Sequence, residues 1–360
     1  MRATIVGAGI GGLAAAAGLH AAGWTVTVRE RAPGPATDGT ALGMWPAAVR
    51  ALDGLGLGDG LRAVSCPQTT GTLRRPDGRV LATIDTRRAG EVHLVARPDL
   101  RALLGSRLPE GTIRYAEPVA TEELPTLRAG SDLLVGADGL HGACRTLLPG
   151  GDRVRIRETG TVAYRGVASV RVDAGSETWG RGARFGVLPH GPGADRANWY
   201  AVLPVADVPA RRDPAADLAL LRRRFGDWHD PVPRVLDRID DDGYLRHRLA
   251  DLTPPLPAWT DGRAVAVLGD AAHAMTPDLG QGACQALLDG VALAEALGGA
   301  APAESLGEGR AELEQALRRW DRERRPYAHR LVRVARTVHR VAQARRGTRL
   351  RDALMSALPL

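Results

Sequence analysis

The chain contains no lysine; every basic residue is an arginine. Cysteine is also scarce. Cys66, Cys144 and Cys284 are odd in number, far apart and without a CxxC pair, which excludes a disulfide framework and supplies no zinc-ligand set. That usage fits a reducing, cytoplasmic setting. A small apolar stretch from Ala3 to Leu19 follows a single Arg and imitates a signal peptide, but no cleavage context follows it. No run reaches the roughly 18 consecutive apolar residues that a membrane helix needs, so no membrane span is expected. Internal repeats and low-complexity tracts are absent beyond a general richness in Ala and Gly. What remains is a globular chain of 360 residues and 44% apolar content, long enough to bury a sizeable core in one or two closely joined domains.

The net charge of +7 is unevenly placed. Residues 310–351 hold fourteen Arg against four acids, Glu312, Glu314, Asp321 and Glu323, so the rest of the chain is slightly acidic. This stretch reads as helix with an apolar stripe at Leu317, Trp320, Leu331, Val334, Val338 and Val341, which would leave the arginines on the opposite, wet face. Aromatic residues for base stacking are not interleaved with them, and a nucleic-acid partner is not expected. Pro326 should kink or restart the helix.

The opening reads strand (Ala3–Val6), glycine turn, helix (Gly11–Ala22), strand (Thr25–Glu30). Gly7, Gly9 and Gly12 stand in GxGxxG register directly after the strand, with Gly11 between them. In such a turn the first glycine permits the bend, the second lets backbone approach a pyrophosphate, and the third lets helix and strand pack. The helix start then offers free N–H groups to phosphate. Glu30 falls eighteen residues after Gly12, where a carboxylate accepts ribose hydroxyls, and Arg31 adjoins it. Two other glycine-rich stretches fail the test: Asp59 and Phe185 occupy the position of the third glycine. One dinucleotide fingerprint exists, and alone it does not separate NAD from FAD.

Further along, Pro46–Leu52 reads as helix, 69–75 and 79–84 as a hairpin across Pro76-Asp77-Gly78, Asp99–Leu108 as helix and Asp132–Val135 as strand. From Thr161 to about Leu249 the texture is β-rich, with strands at Val162–Val172, Arg184–Leu188 and Asn198–Val205 and a helix near Asp217–Phe225. An apolar strand, Ala264–Leu268, then leads into Gly269-Asp270 and a helix from Gly282 to Leu297. The pattern predicts an α/β fold: a Rossmann-like dinucleotide-binding domain (1–68, 97–155 and 255–300), an inserted, mostly antiparallel β-sheet substrate domain (69–96 and 156–254), and a C-terminal helical segment (301–360).

Two more segments narrow the cofactor. Asp132-Leu-Leu-Val-Gly-Ala-Asp138-Gly139 followed by Arg145, and Gly269-Asp270-Ala-Ala-His273 running through Pro277 and Gly280-Gln281-Gly282 to Asp289, resemble the second and third signatures of the class A flavoprotein monooxygenases of the para-hydroxybenzoate hydroxylase fold. The third is most similar to the branch of FAD-dependent urate hydroxylases, salicylate hydroxylases and zeaxanthin epoxidases. Arg97-Pro-Asp-Leu100, Tyr164-Arg165-Gly166, Trp179-Gly-x-Gly-x-Arg184, Trp199-Tyr200 and Arg325-Pro326 fall in the family's order, so the resemblance spans nearly the whole chain.

The resemblance implies one non-covalent FAD, with NADH or NADPH as a transient reductant that has no Rossmann domain of its own. It implies insertion of one atom of O2 into a small, aromatic or otherwise electron-rich substrate through a flavin C4a-hydroperoxide; epoxidation or a non-oxygenating FAD-dependent oxidoreduction is the alternative. Asp270 is expected to meet a ribityl hydroxyl, Pro277 to lie along the isoalloxazine, and Gly280, Gln281, Gly282 and Ala283 to present N–H groups to the ring's carbonyl side. Arg97 looks like the family's arginine that reaches FAD. Asp138 either caps a helix or touches cofactor. His273 reads as a turn residue, and Cys284, where relatives often have Asn, as a small packed one. Arg184 and Tyr200 match positions that touch substrate in urate hydroxylases, with Arg165 on a neighbouring strand; an Arg and a phenol suit an anionic or phenolic substrate. Gly142 stands where the family commonly has Ser. A halogenase is disfavoured, because that chemistry resembles one relying on a lysine and the chain has neither a lysine nor the WxWxIP motif. The expected state is a monomer or a homodimer, without a metal.

Overall fold

A computed structural model describes residues 1–35, 37, 39–85, 87, 90–240, 243–298 and 306–357. Along the chain run β1 (Arg2–Val6), α1 (Ile10–Ala21), β2 (Thr25–Arg29), β3 (Ala41–Met44), α2 (Pro46–Gly54), α3 (Gly58–Val64), β4 (Ser65–Gln68), β5 (Thr70–Arg74), β6 (Val80–Asp85), β7 (Val92–Ala96), α4 (Arg97–Gly105), β8 (Ile113–Arg114), α5 (Leu124–Ala129) and β9 (Leu133–Gly136). The middle of the chain supplies β10 (Arg155–Ala168), β11 (Gly175–Trp179), β12 (Arg184–His190), β13 (Arg196–Pro204), α6 (Pro214–Phe225), α7 (Val232–Leu236) and β14 (Tyr244–Thr253). The last part is β15 (Val265–Val267), α8 (Asp270–His273), α9 (Gly282–Gly298), α10 (Leu306–Ala342) and α11 (Thr348–Ala357).

Five strands form a parallel sheet in the order β15-β9-β1-β2-β8. Its strands read as short apolar runs because helices cover it: Ile5, Val28, Leu134, Val135, Ala266 and Val267 are buried. Helices α1 and α9 cross closely at small residues. A Cβ at Gly290 would lie 2.5 Å from the Gly11 carbonyl oxygen, and one at Gly11 would lie 2.6 Å from Leu268 Cδ1.

The second sheet is seven-stranded, β14-β10-β13-β12-β11-β5-β6, antiparallel except where β11 pairs with β5. Alternation divides β10, β12 and β13 into two faces. Val162, Tyr164, Phe185, Val187, Trp199, Ala201 and Leu203 pack under α6 and α7. Phe185 stacks on Trp199 at 5.9 Å and meets Phe225 of α6 edge-on at 5.2 Å. The alternate residues, Ala163, Arg165, Arg184, Tyr200 and Val202, with His247 of β14, share the opposite face.

Three expectations are corrected. β7, expected in the inserted sheet, pairs with β3 and β4 in a separate three-stranded sheet. The boundary expected near 300 and the last three residues lie outside the described part. Pro326 does not restart the helix: α10 runs unbroken from 306 to 342. Proline removes one N–H donor, but the turns before it are clamped by Trp320, whose indole N–H donates to the Asp289 carbonyl, and by Arg324 on the Asp289 carboxylate. The apolar stripe of α10 is also rotated after Pro326. Val332, Ala335 and Ala342 are buried, whereas Val334 and Val341 are exposed.

The arginines of this region do not all face water. Arg324 reaches Asp289, Arg336 forks onto the fully buried Asp251 at 2.8 and 3.1 Å, and Arg351 donates to the carbonyls of Trp179, Gly180 and Ala342. Their charges bind α10 to α9 and β14, and α11 to the end of β11.

Phe185→Ala should therefore cost about 3–5 kcal/mol of stability in denaturant unfolding of the apoprotein. A loss below about 1 kcal/mol would show that the helix-covered face is not packed as described.

Candidate active site

At the carboxyl edge of the parallel sheet, four neighbouring strands end in chemically useful groups: β15 in Gly269-Asp270, β9 in Gly136 to Asp138, β1 in Gly7 and β2 in Glu30. Open α/β sheets gather ligands at this edge. Gly7 has φ +105°, and a Cβ there would sit 2.4 Å from the Ala137 carbonyl oxygen; a Cβ at Gly12 would sit 2.0 Å from the Gly7 carbonyl oxygen. Both glycines are demanded by the protein's own packing. Gly9 differs: its backbone is ordinary, φ −71° and ψ 177°, and a Cβ would meet nothing within 4 Å. The fold gives no reason for glycine there, whereas a ligand lying against the backbone does.

Gly9 caps α1 without a side chain, which leaves N–H groups of the first turn free. Glu30 accepts the Ala8 N–H at 2.8 Å and the Ala32 N–H at 2.9 Å, so its carboxylate braces the glycine turn. Arg31 is exposed beside it. Gly11 faces the helix crossing through its Cα.

Asp138 accepts the Cys144 N–H at 2.9 Å, which is the capping role; its other oxygen is buried without a partner. Gly142 is explained by this carboxylate, because a Cβ at 142 would lie 2.0 Å from Asp138 Cγ. Arg145 is buried and donates to the carbonyls of Gly139, Leu140 and Ala271, tying this loop to α8. Asp270 projects into solvent at the start of α8. His273 is a buried structural residue, 2.5 Å from Asp289 and stacked on Trp259. Asp289 also accepts from the Gly269 N–H and from Arg324. Burial raises the Asp289 pKa, but His273 and Arg324 outweigh it and hold the carboxyl below its usual range.

Pro277 is exposed and opens a short 3-10 turn, Gly280 turns the chain at φ +59°, and α9 starts at Gly282. Gln281 accepts the Gln285 N–H through its backbone, so the N–H groups of Gly282 and Ala283 precede the first helical hydrogen bond. Cys284 donates its S–H to the Gly43 carbonyl at 3.0 Å and accepts the Trp45 N–H; burial pushes its thiol up to about 11, which suits packing and not nucleophilic attack.

The sheet face opposite α6 meets this loop. Arg184 is 2% exposed, with its guanidinium 2.8 Å from Asp278 and 3.1 Å from Glu177. It was expected to anchor substrate charge directly; instead its charge is taken up inside the protein. Asp278, whose side chain is fully buried, also meets His339 of α10 at 3.1 Å. Tyr200 is half-buried over Gly186, where a Cβ would lie 2.1 Å from the tyrosine Cζ. Burial and then the nearby Glu177 hold its phenol well above the ordinary range, so it stays a proton donor at neutral pH. Arg97 begins α4, exposed, with no side-chain bond to a carboxylate among the described residues.

Glu177, Asp278 and His339 were missed by sequence reasoning. Glu177 was detectable in principle, because it pairs with Gly186 across β11 and β12 and alternation sets it on the Arg184 face. Asp278 and His339 come together only in the tertiary fold.

Residues 1–335 match the family model described as FAD binding domain. The chain belongs to that family of FAD-dependent monooxygenases. It is 33% identical over 314 residues to an aurachin C monooxygenase/isomerase of Stigmatella aurantiaca, covering 81% of this chain and 79% of that one. It is 30% identical over 319 residues to an FAD-dependent urate hydroxylase of Klebsiella pneumoniae, covering 81% and 80%. The fold is shared with Klebsiella pneumoniae HpxO complexed with FAD and uric acid (TM-score 0.80, 24% identity, 100% and 93% coverage) and with a salicylate hydroxylase substrate complex (TM-score 0.77, 22% identity, 99% and 93% coverage). The protein is an FAD-binding oxidoreductase. No described helix is long and apolar enough to cross a membrane.

The Asp289 network fixes a pH dependence. A carboxyl held below its unfolded pKa contributes stability above that value, about 4, and loses it as pH falls through the folded one. Thermal unfolding temperature should therefore fall as pH drops below about 4, and Asp289→Asn should lower it at pH 7 while flattening the acid slope. An unchanged slope in Asp289→Asn would remove this carboxylate from the acid response.

Proposed function

We propose that this chain hydroxylates a small, aromatic organic substrate with one atom of O2, using NAD(P)H as reductant and FAD held at the carboxyl edge of the parallel sheet. The observation that carries the reading is Gly9: an open, side-chain-free position at a helix start, in line with Glu30 on one side and Asp270 on the other. Relatives named for aurachin C and urate support a small organic substrate.

In this reading the turn Gly7-Gly9-Gly12, with the packing residue Gly11 behind it, takes the diphosphate on α1 N–H groups. Glu30 and Arg31 face the adenosine end and Asp270 the ribityl chain. Pro277, Gly280, Gln281, Gly282 and Ala283 line the isoalloxazine, with Arg97 approaching from α4. The cofactor supplies the redox chemistry, taking reducing equivalents from NAD(P)H and activating O2. The protein's own part is positioning and desolvation. Tyr200 offers its phenolic O–H to a substrate oxygen from the sheet face, over a buried apolar cluster of Ala163, Val202 and Leu249. Arg184 acts one step back, fixing Asp278 and hence the loop under the ring.

Gly9→Val separates a ligand role from a structural one. The apoprotein should lose no more than about 1 kcal/mol, as at a helix cap without strain, while FAD affinity should fall at least tenfold, about 1.4 kcal/mol. Asp270→Ala should lower FAD occupancy in the same assay. With a turned-over aromatic, oxygen-18 from O2 should appear once per product, in step with NAD(P)H consumption. A wild-type protein that takes up no FAD, or a product without the label, would overturn the proposal.

A further inference from the structure

The ligand-facing side of the seven-stranded sheet carries positive charge that the protein does not neutralise. Arg165 of β10 is the direct cross-strand neighbour of Tyr200, and His247 of β14 pairs with Ala163 two positions away on the same face. One Arg165 guanidinium nitrogen lies 2.6 Å from His247 Nε2. A guanidinium only donates, so this nitrogen accepts and the ring is neutral, with its proton on Nδ1. His247 therefore orients Arg165 without offsetting its charge.

Burial, then Arg97, draws Arg165 down to about 10; burial, then Arg165, then Arg97, pushes His247 down to about 4. Most other inward-turned arginines have carboxylates: Arg184 has Glu177 and Asp278, Arg246 has Asp217, Arg324 has Asp289, and Arg157 and Arg336 share Asp251, while the buried Arg145 is held by three backbone carbonyls. Among the described residues, no ion pair joins Arg165 or Arg97 to a carboxylate. A half-buried guanidinium without a carboxylate partner is unfavourable until an anion joins it.

We propose that Arg165, oriented by His247, forms an anion-binding corner beside Tyr200 that takes the carboxylate or phosphate oxygens of an incoming small molecule. The inference rests on the monooxygenase reading and adds a substrate class to it. Planar, forked guanidinium groups suit such oxygens. β14 is an edge strand with His247 and Leu245 exposed, so the corner opens to solvent on one side and to Tyr200 on the other. Two molecules carry the required chemistry: an aromatic carboxylate substrate and the reduced nicotinamide dinucleotide.

The test uses the FAD-loaded enzyme, Arg165→Met and Arg165→Lys. Flavin absorbance is titrated with salicylate and with its neutral match salicylamide, and flavin reduction is followed by stopped flow against NADH and NADPH concentration. Arg165→Met should weaken either salicylate or reductant binding at least tenfold, leave FAD content unchanged and leave salicylamide within twofold; Arg165→Lys should recover part of the loss. Loss in the salicylate arm assigns the corner to substrate, and loss in the reduction arm assigns it to the dinucleotide. Both arms within twofold of wild type, equal weakening of salicylate and salicylamide, or loss of FAD itself would overturn the inference. A wild-type protein without bound FAD would instead strike the proposed function.

Discussion

Asp278 joins three parts of the molecule that are remote in sequence. Its carboxylate meets Arg184 from the seven-stranded sheet and His339 from α10, while its backbone belongs to the turn between Pro277 and Gly280. Burial alone would favour the protonated acid, but the His339 and Arg184 contacts reverse that and keep it ionised. Desolvating such a charge is expensive, and the arrangement persists because both sides of the carboxylate are paired. The turn before α9 and the Tyr200 face of the seven-stranded sheet thus share one electrostatic joint. The position of Tyr200 relative to the start of α9 is set by this joint together with Glu177, which holds the other side of Arg184.

Three further buried carboxylates repeat the device. Asp217 accepts from Tyr164 and Tyr244 and pairs with Arg246, locking β10 and β14 to α6. Asp251 is held by Arg157 and Arg336, and Asp289 by Arg324 and His273. An arginine-only basic repertoire suits this use, because a guanidinium can fork onto a carboxylate where an ammonium offers a point charge.

Much of the scaffold was legible from the residues. The βαβ opening, the hairpin across Pro76-Asp77-Gly78, the alternation in β12 and β13 and the glycine at the start of α9 each express a local rule, and each element formed within a few residues of its expected limits. The failures share a different cause. Composition shows that residues 310–351 are rich in arginine, but not that Asp251 and Asp289 lie buried within reach of Arg336 and Arg324. The helical period shows which residues share a stripe, yet the stripe shifts across Pro326 because the second half of α10 packs on different elements. Arg184 was found by its position in a motif, and its partner Asp278, one residue after a residue already singled out, was not. Pairings across a fold are tertiary facts, and a single sequence does not state them.

The two large sheets solve different problems, and their geometry explains the division. At the edge of the parallel sheet the protein offers mainly backbone: N–H groups at the starts of α1 and α9 and turns made close by glycine. Such groups recognise phosphate and carbonyl oxygens whatever side chains surround them. The antiparallel sheet offers side chains instead, and its period of two separates them by purpose. Changing Arg165, Tyr200 or Val202 leaves Tyr164, Ala201 and Trp199 in place beneath α6, because neighbours along a strand face opposite ways. Residues on one face can therefore vary while the core on the other stays intact. Arg184 is the exception on that face, since Asp278 makes it part of the joint with the turn before α9.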